Sequence, residues 1–538
     1  MRNYYVIGHK NPDCDCIVSA IAYANLKQQL GVSALPYALG KANQETQFLL
    51  KKYGFKHPPV LLSAKCTLAE IEKDEAILVA PGITMRKALD AVSSQKNKGV
   101  FVVDNNERLL GIVSISDLTR LWTEDEDTLR SYMKRTKLYN IIDVLEAKVY
   151  HKEDTFKTSG LIHIMPSMSD SVEEYKNSIV ILRNNPDVQR FAIDNGASLI
   201  IISGEDWVDS VTLEKAKEKH VSIIHTAHTV LECSRLIYES ISIDEVTTHD
   251  VISFHDTETV EEVSNRLAKT RFRTYPVLND NNQVIAAISR YHLFHYDKKK
   301  FILVDHNEEA QTVNDIEFGE IVEIVDHHRM GGLETMNPIN IIERTVGSTS
   351  TIITGLYRQN GIALTKEMAG LLLGGLISDT LCLRYPTTTD EDRITAEYLS
   401  DIAEISAITL QEELINASDS ILKKTHLELL YDDFKEFRIA ESRIAVGQSQ
   451  CKSEEDYFKI KDDFLKYLEE TAISQHYDLI LIMFTDPSGS GSYFLYTGKK
   501  DWVISEGFAD VLNDKGFAKG IVSRKKQVLP IIIDTLNK

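Results

Sequence analysis

The chain has 538 residues, 43% of them hydrophobic and 26% charged, a globular balance that gives no support to disordered, collagen-like or coiled-coil architectures. At roughly 150 residues per domain, the length suggests three or four domains. The 60 Lys and Arg against 80 Asp and Glu give a formal charge of −20, which repels nucleic acid and anionic membranes and means that an anionic substrate must be met by a metal or a focused basic site. No window approaches the ~18 apolar residues of a membrane helix, the N-terminus lacks a signal-peptide layout, and six cysteines are too few for a disulfide framework. A cytoplasmic, reduced protein is expected.

Residues 2–8 read as a buried strand ending at Gly8. A polar loop, His9-Lys10-Asn11-Pro12-Asp13-Cys14-Asp15, and an apolar helix over 17–30 follow. This is the opening of an α/β unit, whose ligands bind beyond the carboxyl ends of the strands. An internal repeat comes next: 77–118, shifted by 175 positions, lies on 252–293 without a gap, Val92 on Leu267, Val102 on Val277, Val113 on Ile288. Both copies carry an Asp/Asn-rich hairpin turn and then a serine, Ser114 or Ser289. Two copies are too few for a solenoid and suit a pseudo-symmetric pair that buries one shared face. Between them, 126–245 reads as α/β, with strands at 178–182, 198–203 and 221–225 and a helix at 187–195. Strand-like runs resume at 301–304 and 321–325, each followed by an Asp-His pair, with helices over 348–359 and 366–377. The last stretch, 416–538, is expected to open with an acidic helix and to contain strands at 478–484, 493–496 and 528–533, the last preceded by the basic knot Ser523-Arg524-Lys525-Lys526.

Four groups of hard ligands stand at the ends of apolar runs: His9 with Asp13 and Asp15; Asp305-His306-Asn307; Asp326-His327-His328; and Ser378-Asp379. Parallel strands bring such ends to one edge. Mixed imidazole and carboxylate ligands suit Mn, Co, Zn or Fe(II) better than Ca, and so many ligands suit two ions better than one. Two ions about 3.5–4 Å apart can share a water and clamp both ends of an in-line phosphoryl displacement. Ser348-Thr349-Ser350-Thr351 reads as a helix N-terminus able to offer N–H groups to an anion. Cys14 and Cys16 read as packing residues.

Taken together, His9-x-x-x-Asp13-x-Asp15, Val304-Asp305-His306-Asn307, Val325-Asp326-His327-His328 and Ser378-Asp379-Thr380 resemble the DHH phosphoesterase superfamily. Ser523-Arg524-Lys525-Lys526-Gln527 and Asp433-Phe434-Lys435 resemble the second, DHHA2, domain of family II inorganic pyrophosphatases. The repeat resembles a CBS pair and the stretch between its copies a DRTGG domain. The fold class implied is α/β: a DHH-type parallel-sheet catalytic domain in two segments (1–65 and 299–415), a DHHA2 substrate-binding domain (416–538), and an insert of CBS 1 (66–125), a DRTGG-like domain (126–245) and CBS 2 (246–298).

The resemblance implies hydrolysis of inorganic pyrophosphate by a water that two metal ions activate. The first ion would take His9, Asp13 and Asp305 and the second Asp15, Asp305, His327 and Asp379. The ions would be Mn2+ or Co2+, with Mg2+ arriving with the substrate, and His328, Lys435, Arg524 and Lys525 would hold the pyrophosphate. For the CBS pair it implies adenine-nucleotide control by AMP, ADP, ATP or diadenosine polyphosphates, with Ser114 facing phosphate and Asp117 the ribose. In the second copy the positions are Ser289 and His292, with Arg271, Arg273 and Arg290 near phosphate; His292 leaves that half-site's ribose contact open. A homodimer is expected, with neither nucleic acid nor membrane as partner. The alternatives are a DHH exopolyphosphatase or nucleotide phosphodiesterase, and a nucleotide-sensing module with a degenerate core.

Overall fold

In the computed structural model the first strand, Tyr4–Ile7, pairs in parallel with Ala34–Tyr37 on one side and Lys300–Val304 on the other. Two further parallel strands, Glu320–Asp326 and Asn340–Glu343, complete a five-stranded sheet. Val6, Ile302, Val304 and Val325 are buried beneath helices Cys14–Gln29, Thr349–Gln359 and Lys366–Asp379, so the central strands read as continuous apolar runs. Three adjacent strands therefore end on one edge, in Gly8-His9, Asp305 and Asp326-His327. The first helix begins at Cys14, three residues before the expected start, because Asp13 caps it by accepting from Cys16 N at 3.0 Å. Asp15 thus belongs to a helical turn and not to a loop.

The structure describes residues 3–93, 99–168, 172–417, 420–432, 434–439, 441–486 and 489–537. Asp433 and the head of the first expected strand, Arg2, lie outside them, as do residues 94–98 of the first repeat copy. The chain divides into two units, Cys66–Asp297 and the combination of Met1–Lys65 with Lys298–Lys538.

The C-terminal part of the second of these carries a mixed sheet in the order Phe434–Ile439, Ser442–Gln450, Leu479–Thr485, Gly491–Thr497 and Phe517–Lys519. Two expectations fail here. The stretch does not open with an acidic helix: the acidic segment, Glu454–Ser474, is the crossover between the parallel strands Ser442–Gln450 and Leu479–Thr485. The strand expected at 528–533 is the helix Leu529–Leu536, entered through a π-helical turn, Arg524–Val528. Its β-branched run mimics a strand, but Pro530 has no N–H for a ladder and fits a helix's first turn. Val528, Ile532 and Thr535, at helical spacing, form the buried face, while Ile533 is exposed.

In Cys66–Asp297 the repeat is repeated in structure. Leu78–Val79, Gly99–Val103 and Leu109–Ser114 form one three-stranded sheet, and Phe254–His255, Tyr275–Leu278 and Val284–Ile288 the other. Both pair parallel and then antiparallel, with a register shift at the equivalent points Val102/Val103 and Val277/Leu278. Phe101, Val103 and Ile112 of one copy pack with Leu278, Val284 and Ala287 of the other, the shared face expected of the pair. The intervening sheet runs Lys148–His151, Ser222–Thr226, Leu199–Ser203, Ile179–Arg183, Ile162–Ile164, parallel except at the first pairing. Among the described residues no helix is long and apolar enough to cross a membrane.

Candidate active site

Three clusters share Asp305 at the carboxyl edge of the parallel sheet, and two of them hold the expected ligands. His9, Asp13 and Asp305 gather with Cys16 in one of these two, and Asp15, Asp305, His327 and Asp379 in the other, while Asp326, His327 and His328 form the third with Asp305; the candidate ligand atoms in each lie within 4.8 Å of one another. Asp13 gives Oδ1 to its helix cap and turns Oδ2 to His9 Nε2 at 3.4 Å. Asp15, fully buried, accepts from Thr349 N at 2.7 Å and Ser350 N at 3.2 Å, and also from Ser350 Oγ. The anion met by the Ser348–Thr351 helix start is therefore the protein's own carboxylate. Asp305 sits at φ 62°, a left-handed conformation that Asp tolerates better than most residues, and Thr349 Oγ1 donates to its Oδ1 at 2.9 Å. His327 Nε2 lies 3.4 Å from both Asp305 Oδ1 and Asp379 Oδ2. Helix packing here is tight: a Cβ on Gly375 would stand 2.6 Å from Ser350 Oγ and 2.8 Å from Asp15 Oδ1.

Both imidazoles are oriented as ligands. His9 Nδ1 faces Lys10 O at 2.8 Å and His327 Nδ1 faces Val346 O at 3.1 Å, so Nδ1 carries the proton donated to the carbonyl and Nε2 is left for a ligand. Asp305 Oδ2 and His327 Nε2 are buried without a hydrogen-bond partner. Among the described residues no Lys or Arg forms an ion pair with Asp15, Asp305 or Asp379, and buried carboxylates so placed are paired or coordinate metals. Burial opposes ionisation of Asp305, yet His327 and His9 hold its pKa well below the usual range. Burial, then the charge of Asp305, pushes Asp15 up to about 7, and burial drives Asp379 well up, with Asp13, Asp15 and Asp305 adding to it. His9 and His327 are held well above the ordinary histidine value despite burial, through Cys16, Asp13 and Asp305 for the first and Asp305 and Asp379 for the second. Protons thus occupy the ground that cations would take, and binding a dication releases them. Orphaned ligand atoms, fixed tautomers and a mixed N/O donor set all fit two transition-metal ions. Burial pushes the Cys16 thiol up to about 11, and it accepts from His9 N at 3.1 Å, so it remains a packing residue.

Asp326 and Asn307, grouped with the candidate ligands in the sequence, serve as supports of the histidines. Asp326 Oδ1 accepts from His327 N (2.8 Å), His328 N (3.1 Å) and His328 Nδ1 (2.9 Å), while Oδ2 accepts from Asn307 Nδ2 at 2.6 Å. His328 is thereby held with Nε2 available on a part-exposed ring. His306 is buried, and burial lowers its pKa to about 4. From the C-terminal sheet, Arg524 is nearly buried and donates from Nη1 to Val446 O at 3.3 Å. Lys525 has a lowered pKa, first from partial desolvation, then from Lys435 and Arg329, with Asp326 acting in the opposite sense. Lys525 is thus within electrostatic reach of Lys435, Arg329 and Asp326, and Arg329 is a cation that the sequence reading did not pick out. Lys526 donates to Pro386 O at 2.9 Å, beyond the end of helix Lys366–Asp379.

In the repeat, Ser114 and Asp117 are bonded to each other as a helix capping box, Ser114 Oγ donating to Asp117 Oδ2 at 2.6 Å. Ser289 and His292 mirror them: Ser289 N donates to His292 Nδ1 at 3.0 Å, and Nε2 turns to Asp74 at 3.6 Å. Arg290 Nη2 is spent on the carbonyls of Leu267 and Thr270, and Arg271 and Arg273 are exposed on the preceding loop.

Such a strand-edge cluster of acids and imidazoles, with a lysine of the C-terminal part in electrostatic reach of Asp326, defines a metal-dependent phosphoester or phosphoanhydride hydrolase. Comparison with known proteins agrees. Residues 3–376 match the model of the DHH family, N-terminal domain, and 412–535 that of the DHHA2 domain. The chain is 34% identical over 532 residues to a cobalt-dependent inorganic pyrophosphatase of Clostridium perfringens, covering 98% of this chain and 97% of that one. It is 30% identical over 548 residues to a probable manganese-dependent inorganic pyrophosphatase of Thermotoga maritima, covering 100% and 99%. Among solved structures, the CBS and DRTGG domains of the regulatory region of Clostridium perfringens pyrophosphatase, complexed with the activator diadenosine tetraphosphate, cover 42% of this chain and 100% of their own at 28% identity and a TM-score of 0.38. The chain belongs to the DHH family and, within it, to the family II inorganic pyrophosphatases.

Proposed function

We propose that this chain hydrolyses inorganic pyrophosphate to two phosphates with two divalent ions, Mn2+ or Co2+, held by His9, Asp13 and Asp305 and by Asp15, Asp305, His327 and Asp379. The observation that carries the reading is the pair of clusters sharing one buried carboxylate, with orphaned atoms at Asp305 Oδ2 and His327 Nε2. When bound, the ions neutralise substrate charge and acidify the attacking water. The rest falls to the side chains. Lys435 and Lys525 supply point charges and Arg524 a planar fork to the phosphates. His328, its Nδ1 fixed on Asp326, presents Nε2 to the bridging oxygen. For so small and charged a substrate, catalysis is mostly positioning and charge neutralisation. Phosphate release from pyrophosphate, tripolyphosphate and a cyclic dinucleotide, with Mn2+ and Mg2+ present, tests the substrate: preference for either of the latter two overturns it.

We assign the insert, a CBS pair at 66–125 and 246–298 around a DRTGG-like domain at 126–245, to adenine-nucleotide regulation. The full-length match to the clostridial enzyme, which takes in the insert, supports this, as do the paired copies with their Ser114- and Ser289-capped helices. His292, buried against Ser289 N and Asp74, is no ribose ligand in this reading. A homodimer through the CBS pair is part of it. So is a reducing, cytoplasmic setting, in keeping with six free cysteines, five of them buried.

A further inference from the structure

We propose that Asp392 is a positioning residue that acts chiefly on one of the two ions, an inference that rests on the two-ion reading above. Asp392 lies in the first turn of helix Asp390–Ala403 and forms a capping box with Thr389, whose N and Oγ1 both donate to Oδ2 at 2.7 Å. Acids in that position are ordinarily surface residues, but this one is 0% exposed. Its remaining capacity reaches across to another segment: Gly347 N donates to Oδ2 at 2.8 Å and Thr351 Oγ1 to Oδ1 at 2.7 Å. Gly347 is fitted against it, since a Cβ there would stand 2.9 Å from Asp392 Oδ2 and 2.7 Å from Thr380 Cγ2.

The segment so anchored, 346–351, touches three metal ligands directly. Val346 O takes the Nδ1 proton of His327, Thr349 N and Ser350 N hold Asp15, and Thr349 Oγ1 holds Asp305. All three belong to the cluster completed by Asp379, and Asp305 alone belongs to the other as well. His9 and Asp13, which complete the other cluster, take their hydrogen-bond supports from Lys10 O and the cap of helix Cys14–Gln29. A single buried carboxylate thus braces the second site's ligands through one helix start.

Mn2+ titration of the metal-free full-length chain, read by calorimetry and by the spin-resonance signal of free Mn2+, tests this. Wild type binds two ions. In Asp392→Ala one ion weakens about 10- to 100-fold, the range for a lost support of a metal ligand, the other, reached only through Asp305, weakens much less, and the pattern matches Asp379→Asn but not Asp13→Asn. Asp392→Asn restores tight binding, because the amide oxygen still accepts from Gly347 and Thr389 while its NH2 donates to the Thr351 hydroxyl. Equal weakening of both ions, no weakening of either, or an Asn variant as impaired as Ala overturns the proposal. Should Asp392→Ala not fold, Thr351→Val deletes one bond without changing side-chain shape and must show the same selectivity in smaller degree. A wild type that binds no pair of ions fells the two-ion reading first, a result distinct from the others.

Discussion

Asp305→Asn is the sharpest test of the site. Asn also tolerates the left-handed backbone that Asp305 adopts at φ 62°, and its amide oxygen still accepts from Thr349 Oγ1. Fold and side-chain position are therefore kept, and only the charge common to both clusters is lost. A bond to a charged group contributes about 1.5–3 kcal/mol, so losing one at each of two ions removes about 3–6 kcal/mol, or roughly 10²- to 10⁴-fold in kcat/KM at fixed metal concentration. Pyrophosphate turnover measured across a Mn2+ series at constant Mg2+ reads this directly. Melting with and without chelator gives a second readout: an ion at one hundred times its Kd adds about 2.7 kcal/mol to wild-type stability, and the variant loses most of that increment. Near-normal turnover at saturating Mn2+ and Mg2+, with the metal-dependent melting shift intact, would refute the shared-ligand assignment.

Three further outcomes are expected. Arg524→Ala raises KM far more than it lowers kcat, and an unchanged KM would make the basic knot mere surface. Because the pKa of Lys525 is lowered by partial desolvation and by Lys435, its charge is lost earlier than an ordinary lysine's as pH rises. KM should climb on the alkaline side in wild type and flatten in Lys525→Arg, whose charge persists; a limb that survives the substitution belongs to another group. Joining Lys65 to Lys298 in place of 66–297 is expected to leave pyrophosphate hydrolysis and abolish AMP binding and response, since Lys299 Nζ already donates to Lys65 O at 2.8 Å; AMP binding by the shortened chain would place the nucleotide site elsewhere.

The ligand set was legible because a parallel sheet converts sequence position into spatial position: His9, Asp305 and His327 each follow an apolar run, and adjacent strands in one direction must end on one edge. What supports those ligands was not legible. Thr389-x-x-Asp392 reads as an ordinary capping box, and nothing local says that Asp392 is buried or that Gly347 and Thr351 reach it. The Ser348–Thr351 run announces N–H groups seeking an anion, but the anion, Asp15, lies more than 300 residues away in the chain. The final helix was misread for a related reason. Val528-Leu529-Pro530-Ile531-Ile532-Ile533 has strand composition, and only the burial of Val528, Ile532 and Thr535 with Pro530 exposed reveals the helical period.

The position of the insert couples it to the chemistry by covalent geometry. The chain leaves the catalytic unit after Lys65 and returns at Lys298, immediately before the strand Lys300–Val304 whose end is Asp305. That strand is central in its sheet, paired in parallel with Tyr4–Ile7 on one side and, with a register shift at Phe301/Ile302, with Glu320–Asp326 on the other, and its last residue, Val304, is buried. In the proposed regulation, a displacement of the insert's exit meets first the strand that carries the ligand shared by both clusters, whose neighbours carry His9 and His327. An effector acting there needs to alter only the relative stability of two positions of one strand; by linkage, filling the metal site must alter effector affinity by the same factor.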